Sequence, residues 1–259
     1  AAVVDVISRG RLILGVGMGY REYEYAGLGL SMRQRRSLME EGLEVVRRCW
    51  TEPEGFSHAG RHWQLRDVRV RPLPVQRPHP PIWFGAGSVP AMERSARFGA
   101  SFVCAPVPPL RQIRRQMTLY QDLLRQAGHD PAGVELGLMR EVYVTDDPDQ
   151  AWRDVREHFL HVYRDTYGPD QVEYIDIRPD GTRRRVTDPH DPFFESARFR
   201  EDRFIFGDPE LVAREVRRYL EETPTTLFIA RMQLPGMPHE KVTRSMRLFA
   251  ERVMPQFNA

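Results

Sequence analysis

Short apolar runs alternate with longer stretches of 3.6-residue periodicity along most of this chain. The runs at 11–16, 81–85, 101–105, 135–144 and 226–231 predict five strands. Helices are predicted at about 31–50, 89–98, 110–127, 148–166, 208–222 and 239–253. In the first of these Leu38, Leu43, Val46 and Trp50 share a face; in the last Val242, Met246, Phe249 and Val253 turn inward. Asp208 and Pro209 stand as N-cap and first helical residue. Residues 1–8 followed by Arg9-Gly10 read as a helix tail with a glycine stop.

Two segments break the alternation. Residues 51–80, rich in proline, histidine and arginine with strand-like pieces at 62–65 and 68–70, read as an insertion built on a hairpin. Residues 168–203 are polar and carry no strong signal, and are also read as an insertion. Strands that alternate with helices imply parallel pairing and right-handed crossovers. A doubly wound sheet and a (β/α)8 barrel both satisfy that pattern. A barrel of about 250 residues needs eight βα units. Five are visible, so a barrel reading leaves about three units before residue 1 and makes 1–259 a single, N-terminally incomplete α/β domain of TIM-barrel type.

Two strand ends carry glycines that lead into a helix: Gly15-Val16-Gly17-Met18-Gly19-Tyr20 and Gly85-Ala86-Gly87-Ser88. Bare amides at such a junction suit a phosphate-bearing ligand, and the first turn of the helix adds partial positive charge. Ser88 sits where an N-cap belongs and Pro90 suits the first turn. A tight capped βα turn with no ligand is the simpler alternative. Tyr20 either hydrogen-bonds to phosphate or closes the mouth of the fold with its ring. Arg21 is a candidate counter-charge, or a solvated neighbour of Glu22. Cys104 ends the third strand, and Arg231 and Gln233 end the fifth; these three are the candidate substrate contacts. Arg140 and Glu141 lie inside the fourth strand, where burial demands neutralisation or a polar cavity.

Composition narrows the partners. The net charge is +2, with 38 basic and 36 acidic residues, which argues against nucleic acid; all the basic residues but Lys241 are arginine. Arg183-Arg184-Arg185 reads as a solvated loop. No apolar stretch has the length of a membrane span, and with no leader visible the cytoplasm is the default location. Cys49 and Cys104 read as buried thiols rather than a disulfide or zinc set. The pairs His58/His62 and His158/His161 lack a matching ligand set, so no metal is expected. The run 188–192 has turn chemistry.

The chain resembles the bacterial luciferase-like flavin-dependent monooxygenases and oxidoreductases. The likeness rests on residues 10–20, 35–41, 77–88 and 207–212, in that order, and on the ending 234–255. It implies a (β/α)8 barrel that holds FMN, or a deazaflavin coenzyme, at the C-terminal ends of the strands. Gly17, Met18, Gly19, Tyr20, Gly85, Gly87 and Ser88 would then face the cofactor's phosphate or ribityl chain. The first three βα units of the family pattern, which supply the catalytic histidine or acid, have no counterpart, so no catalytic residue is assigned. The implied activity is oxidation of a small organic substrate with reduced flavin and dioxygen, with a flavin reductase as supplier and a homodimer as the default assembly. Deazaflavin-dependent hydride transfer is one alternative, and a non-catalytic flavin-binding relative or inactive fragment another.

Overall fold

The computed structural model describes residues 1–85, 87–169 and 172–257. Six parallel strands form its main sheet: β1 (Leu14–Val16), β4 (Ile82–Gly85), β5 (Ser101–Cys104), β6 (Leu136–Val144), β9 (Phe204–Gly207) and β10 (Leu227–Arg231). Five of these are the strands the periodicity predicts. The sixth, β9, lies where the sequence offers only Phe204-Ile205-Phe206 between an arginine-rich stretch and the Gly207-Asp208-Pro209 helix start.

The order β1-β4-β5-β6-β10 leaves β1 and β10 at the two edges, and the barrel is not closed. The nine residues of β6 make it the spine. Gly137 and Leu138 pair with both β5 and β10, so those two flank it. Glu141 pairs with both Arg231 of β10 and Phe204 of β9, so β9 continues the edge that β5 begins.

Side chains alternate across the strands. Phe102, Cys104, Leu136, Leu138 and Val142 face outward into a core completed by α4 (Val89–Arg97), α5 (Leu110–Gln126) and α8 (Pro209–Glu222). Ile82 and Phe84 face outward against α3 (Arg35–Thr51), through Leu43 and Trp50, and α1 (Ala2–Ile7) through Ala2. The other face carries Gly15, Trp83, Gly85, Val103, Gly137, Glu141, Ile229 and Arg231. A Cβ on Gly137 would lie 3.2 Å from Val103 Cγ2 and 3.6 Å from Ile229 Cδ1, which puts those three side by side. Toward the end of β6 this inner face is covered by α6 (Pro148–Leu160), where Tyr143, Phe159, Tyr163 and Phe204 form an aromatic cluster.

Local chemistry sets the element ends. Asp147 and Asp208 cap α6 and α8 by accepting from Asp149 N (3.0 Å) and Leu211 N (2.7 Å). Arg9 and Gly10 take positive φ and stop α1. Asp5, fully buried, accepts from Val75 N, Gln76 N and Gln76 Nε2 at 2.7–3.1 Å and ties α1 to the chain entering β4.

Residues 51–80 contain an antiparallel hairpin, β2 (Phe56–Ala59) with β3 (Gln64–Val68). Glu41 of α3 fixes its turn by accepting from His62 N and Trp63 N, with His58 Nε2 at 3.2 Å. His58 is thereby bound to a structural carboxylate. Residues 168–203 depart further from expectation. They hold a second hairpin, β7 (Tyr174–Ile177) with β8 (Arg183–Val186), and a short helix α7 (Ala197–Arg200). The arginine run is therefore a strand rather than a loop: Arg184 turns onto Asp176 and Asp191 while Arg185 faces solvent. The acidic, aromatic stretch after Tyr20 forms helix α2 (Glu22–Gly27), which buries no side chain and so leaves no apolar periodicity to read. Met246 is 53 % exposed, outside the inward face assigned to it, while Val242 and Val253 are buried.

Candidate cofactor and substrate site

Leu14, Gly15 and Val16 of β1 stand opposite Ile82, Trp83 and Phe84 of β4. The next residues, Gly17 and Gly85, therefore leave the sheet side by side at its C-terminal edge. Cβ atoms added at Gly15, Gly17, Gly85 or Gly87 would meet nothing within 4 Å. This is open space lined by backbone. Ser88 is the N-cap of α4, but its hydroxyl makes no capping bond. Among the described residues it has no hydrogen-bond partner, and it stands beside the Val89 amide, which has no intrahelical acceptor. Pro90 removes one further donor. Gly87 is braced from behind by Gln116 Nε2 on its carbonyl, 3.2 Å. The turn at Gly19 (φ +71°) is held by the Tyr25 hydroxyl, which donates to the Met18 carbonyl. The indole Nε1 of Trp83, buried on the inner face, has no partner among the described residues. Open amides, a free hydroxyl and an orphaned donor on one side of the sheet fit the phosphate and polar edge of a flavin-type cofactor.

A cavity of about 300 Å³ opens at the same end of the sheet. Tyr20, Ala105, Pro106, Tyr163, Tyr167 and Arg231 supply most of its wall. Its surface is largely apolar, with Arg231 as the one charged group among the described residues. Glu141 holds that arginine: Nε is 2.9 Å from Oε2 and Nη2 meets Oε1. The Tyr163 hydroxyl donates to Glu141 Oε1 and lies 3.1 Å from Arg231 Nη2. Burial, with the Glu141 charge beside it, pushes the Tyr163 phenol well above its ordinary range. Burial and the Tyr167 hydroxyl push Tyr20 up as well. Both phenols are neutral donors at physiological pH.

The structure thus brings Gly17, Gly85, Gly87 and Ser88 to one edge, and Tyr20 and Arg231 to the adjoining cavity. Two expectations need correction, and of the two readings open for Arg140 and Glu141 mutual neutralisation is the one excluded. Cys104 is 1 % exposed and packs outward among the helices; Ala105, one residue on, lines the cavity instead. Gln233 is exposed, donates to Leu234 O, and is not in the cavity wall. Arg140 and Glu141 do not neutralise each other, because consecutive strand residues face opposite ways. Arg140, 0 % exposed, donates instead to the carbonyls of Pro106 (3.0 Å) and Pro108 (2.9 Å), with its guanidinium over the Tyr219 ring. Sequence reasoning missed Tyr163 and Tyr167. Tyr163 lies in a π-helical turn (His161–Thr166) that follows α6 and Tyr167 ends that turn, and their only signal was aromatic spacing at the end of a predicted helix.

A parallel sheet with helices on its outer face, and with open glycine junctions and an apolar cavity at the strands' C-terminal end, defines an α/β fold of the TIM-barrel type. Residues 1–226 match the family model of luciferase-like monooxygenases, and the chain belongs to that family. An uncharacterized protein, y4vJ of Sinorhizobium fredii (strain NBRC 101917 / NGR234), is 29 % identical over 145 residues. That match spans 56 % of this chain and only 41 % of the relative's length. Among solved structures, the monooxygenase RslO1 from Streptomyces bottropensis superposes with a TM-score of 0.79 at 24 % identity, over 99 % of this chain and 72 % of that one. The oxygenating constituent of 3,6-diketocamphane monooxygenase from the CAM plasmid of Pseudomonas putida, in complex with FMN, gives 0.73 at 20 %, over 98 % and 73 %. An F420-dependent secondary alcohol dehydrogenase gives 0.72 at 18 %, over 100 % and 73 %. Among the described residues no helix is long and apolar enough to cross a membrane.

Proposed function

We propose that this chain binds FMN through Gly17, Gly85, Gly87 and Ser88 and serves a monooxygenase that uses reduced flavin and dioxygen on a small organic substrate. The observation that carries the reading is the pair of glycine junctions leaving adjacent strands, open above and with the Ser88 hydroxyl unpartnered among the described residues. When bound, the flavin supplies the electrons. The protein's part is to anchor the phosphate on amides and a hydroxyl, to exclude water, and to orient the substrate. Met18, Gly19 and Tyr20 shape the approach to the phosphate chain. Arg231, its charge balanced by Glu141, presents N–H groups to an oxygen of the substrate. Reduced flavin comes from a separate reductase, and the enzyme works as a homodimer.

A second reading, hydride transfer by a deazaflavin, draws support from the likeness to the F420-dependent dehydrogenase fold. Titration of the protein with FMN and with the deazaflavin coenzyme, followed by fluorescence, separates the two. Saturable binding of one, weakened at least tenfold by Ser88→Ala with Gly87→Ala, is the expected result. Failure of both to bind, or binding indifferent to those substitutions, overturns the assignment.

A further inference from the structure

Behind the loop that lines the substrate cavity lies a second one, of about 420 Å³, between the start of α5, the β7–β8 hairpin and α7. Six charged residues line it: Arg111, Arg178, Arg198, Arg203, Glu201 and Asp202. Their charges do not cancel in place. Asp202 is held from outside the cavity by Arg218 Nη1 at 2.7 Å. Arg198 is engaged by the buried Asp176, Nε to Oδ1 3.2 Å, and Arg178 stands 3.9 Å from the same carboxylate. Arg111 and Arg203 have no carboxylate within 4 Å among the described residues, and Glu201 has no basic partner there. Arg203 Nη1 donates to the carbonyls of Arg198 and Phe199, both at 3.2 Å, but its buried Nε has no partner among the described residues. Burial, with the positive charge of Arg140 nearby, pushes the Arg203 guanidinium down to about 10. Half-buried Arg203 and exposed Arg111 thus line the cavity with no carboxylate within 4 Å among the described residues, a positive balance that an anion would offset.

We propose that this cavity is an anion site for a phosphate-type dianion, gripped by Arg111 and Arg203, with Arg178 at its rim. Planar guanidinium groups match such an oxyanion. Arg111 lies in the first turn of α5, where the helix end adds favourable potential. Glu201 is the unfavourable neighbour and sets a limit on affinity. The site bears on the substrate cavity through one loop: Ala105 and Pro106 line that cavity, Pro109 lines this one, and Arg140 clamps the carbonyls between them. A bound anion would brace the cavity wall. The inference is independent of the cofactor assignment.

Inorganic phosphate is the probe, titrated against chloride at constant ionic strength, with thermal midpoint and phosphorus line width as readouts. A saturable rise in midpoint is expected. Arg111→Gln, at an exposed position that leaves the fold intact, should weaken the phosphate response about tenfold, the scale of one charge-assisted contact. Arg203→Met should abolish the response, read as the shift from that variant's own midpoint because the substitution also removes the bonds to the carbonyls of Arg198 and Phe199. Ser88→Ala should leave the response unchanged. Equal stabilisation by chloride, a response indifferent to both arginine substitutions, or a response lost in Ser88→Ala instead overturns the proposal. The last result would place phosphate on the glycine cradle, so the two sites are told apart.

Discussion

Arg231 and Glu141 are register partners on neighbouring parallel strands, and their side chains close a two-pronged ion pair on the inner face of the sheet. Glu141 is 1 % exposed, whereas the Arg231 side chain keeps 36 % of its surface in solvent. The carboxylate is thus the costly member to leave alone, and the arginine the one able to reach a ligand. Glu141→Gln should destabilise the protein by about 2–3 kcal/mol, less than a fully buried pair because Arg231 is partly hydrated. Arg231→Met in the same background should recover part of that loss. Urea unfolding of the two variants checks both, and a change below about 0.5 kcal/mol for Glu141→Gln would show that the pair is not structural.

Ser88 and Asp208 occupy equivalent positions at helix starts, but only Asp208 caps. Asp208→Ala should cost about 1 kcal/mol of stability with cofactor affinity unchanged. Ser88→Ala should do the reverse: a melting temperature near the parent's, and flavin binding weakened by about 1.5–3 kcal/mol, the scale of a hydrogen bond to a charged group. Melting curves beside flavin titrations separate these outcomes; a destabilised Ser88→Ala protein contradicts the assignment of its hydroxyl to a ligand.

Gly17 and Gly87 have open space where a Cβ would go and neither has positive φ, so alanine is compatible with the backbone at both. Gly17→Ala and Gly87→Ala should leave stability within about 0.5 kcal/mol of the parent. Each methyl would occupy the cradle and weaken flavin binding. Gly99→Ala is the contrasting control, because its Cβ would fall 2.8 Å from the His129 ring at φ +58°; that variant should lose stability and leave binding alone.

Stability should fall at both ends of the pH scale. Although burial acts against it, hydrogen bonds from Arg198 and Arg184 hold Asp176 below the usual carboxylate range. Arg184 does the same for Asp191. Their contribution is present above the ordinary carboxylate pKa and is lost as the pH drops through the lowered folded values. At the alkaline end, burial pushes Tyr120 up to about 12 and raises Tyr163 and Tyr219 too. The unfolded chain releases those protons first, so stability declines from about pH 10 upward and is insensitive to these groups below it. Tyrosinate absorbance followed alongside circular dichroism tests this: the three phenols should ionise only as the fold is lost.

Cys104 should be inert. Burial pushes its thiol up to about 12, and its side chain lies among Met92, Ile113 and Leu138 rather than in the cavity. Alkylation of the native protein near pH 8 should spare it, and unfolding should expose it. Rapid labelling of the native state would put the thiol back at the cavity wall.

Five strands and their helices were legible because each couples a strongly apolar run to a glycine- or proline-marked end, as at Ile82-Trp83-Phe84-Gly85. The cradle was legible for the same reason, since glycine records backbone access directly. What escaped was written in pairwise contacts. Nothing local announces that Glu141 pairs with a residue 90 positions away, or that Arg184 folds back on Asp176 and Asp191. The outward turn of Cys104 was a matter of strand parity: the last core residue of β5 and the first cavity residue are neighbours in sequence. β9 escaped because three apolar residues between Arg203 and Gly207, at the end of a polar stretch, have too little pattern to stand out.

Arg140 and Glu141 have a joint consequence for how β6 can be threaded. One grips peptide oxygens on the outside of the sheet; the next answers a cation on the inside. A slip of a single position one way would thrust a carboxylate against those oxygens, and one the other way would set two guanidinium groups face to face. The spine strand is thus locked in alignment by charge as well as by shape, and misaligned pairings are penalised before packing is tested.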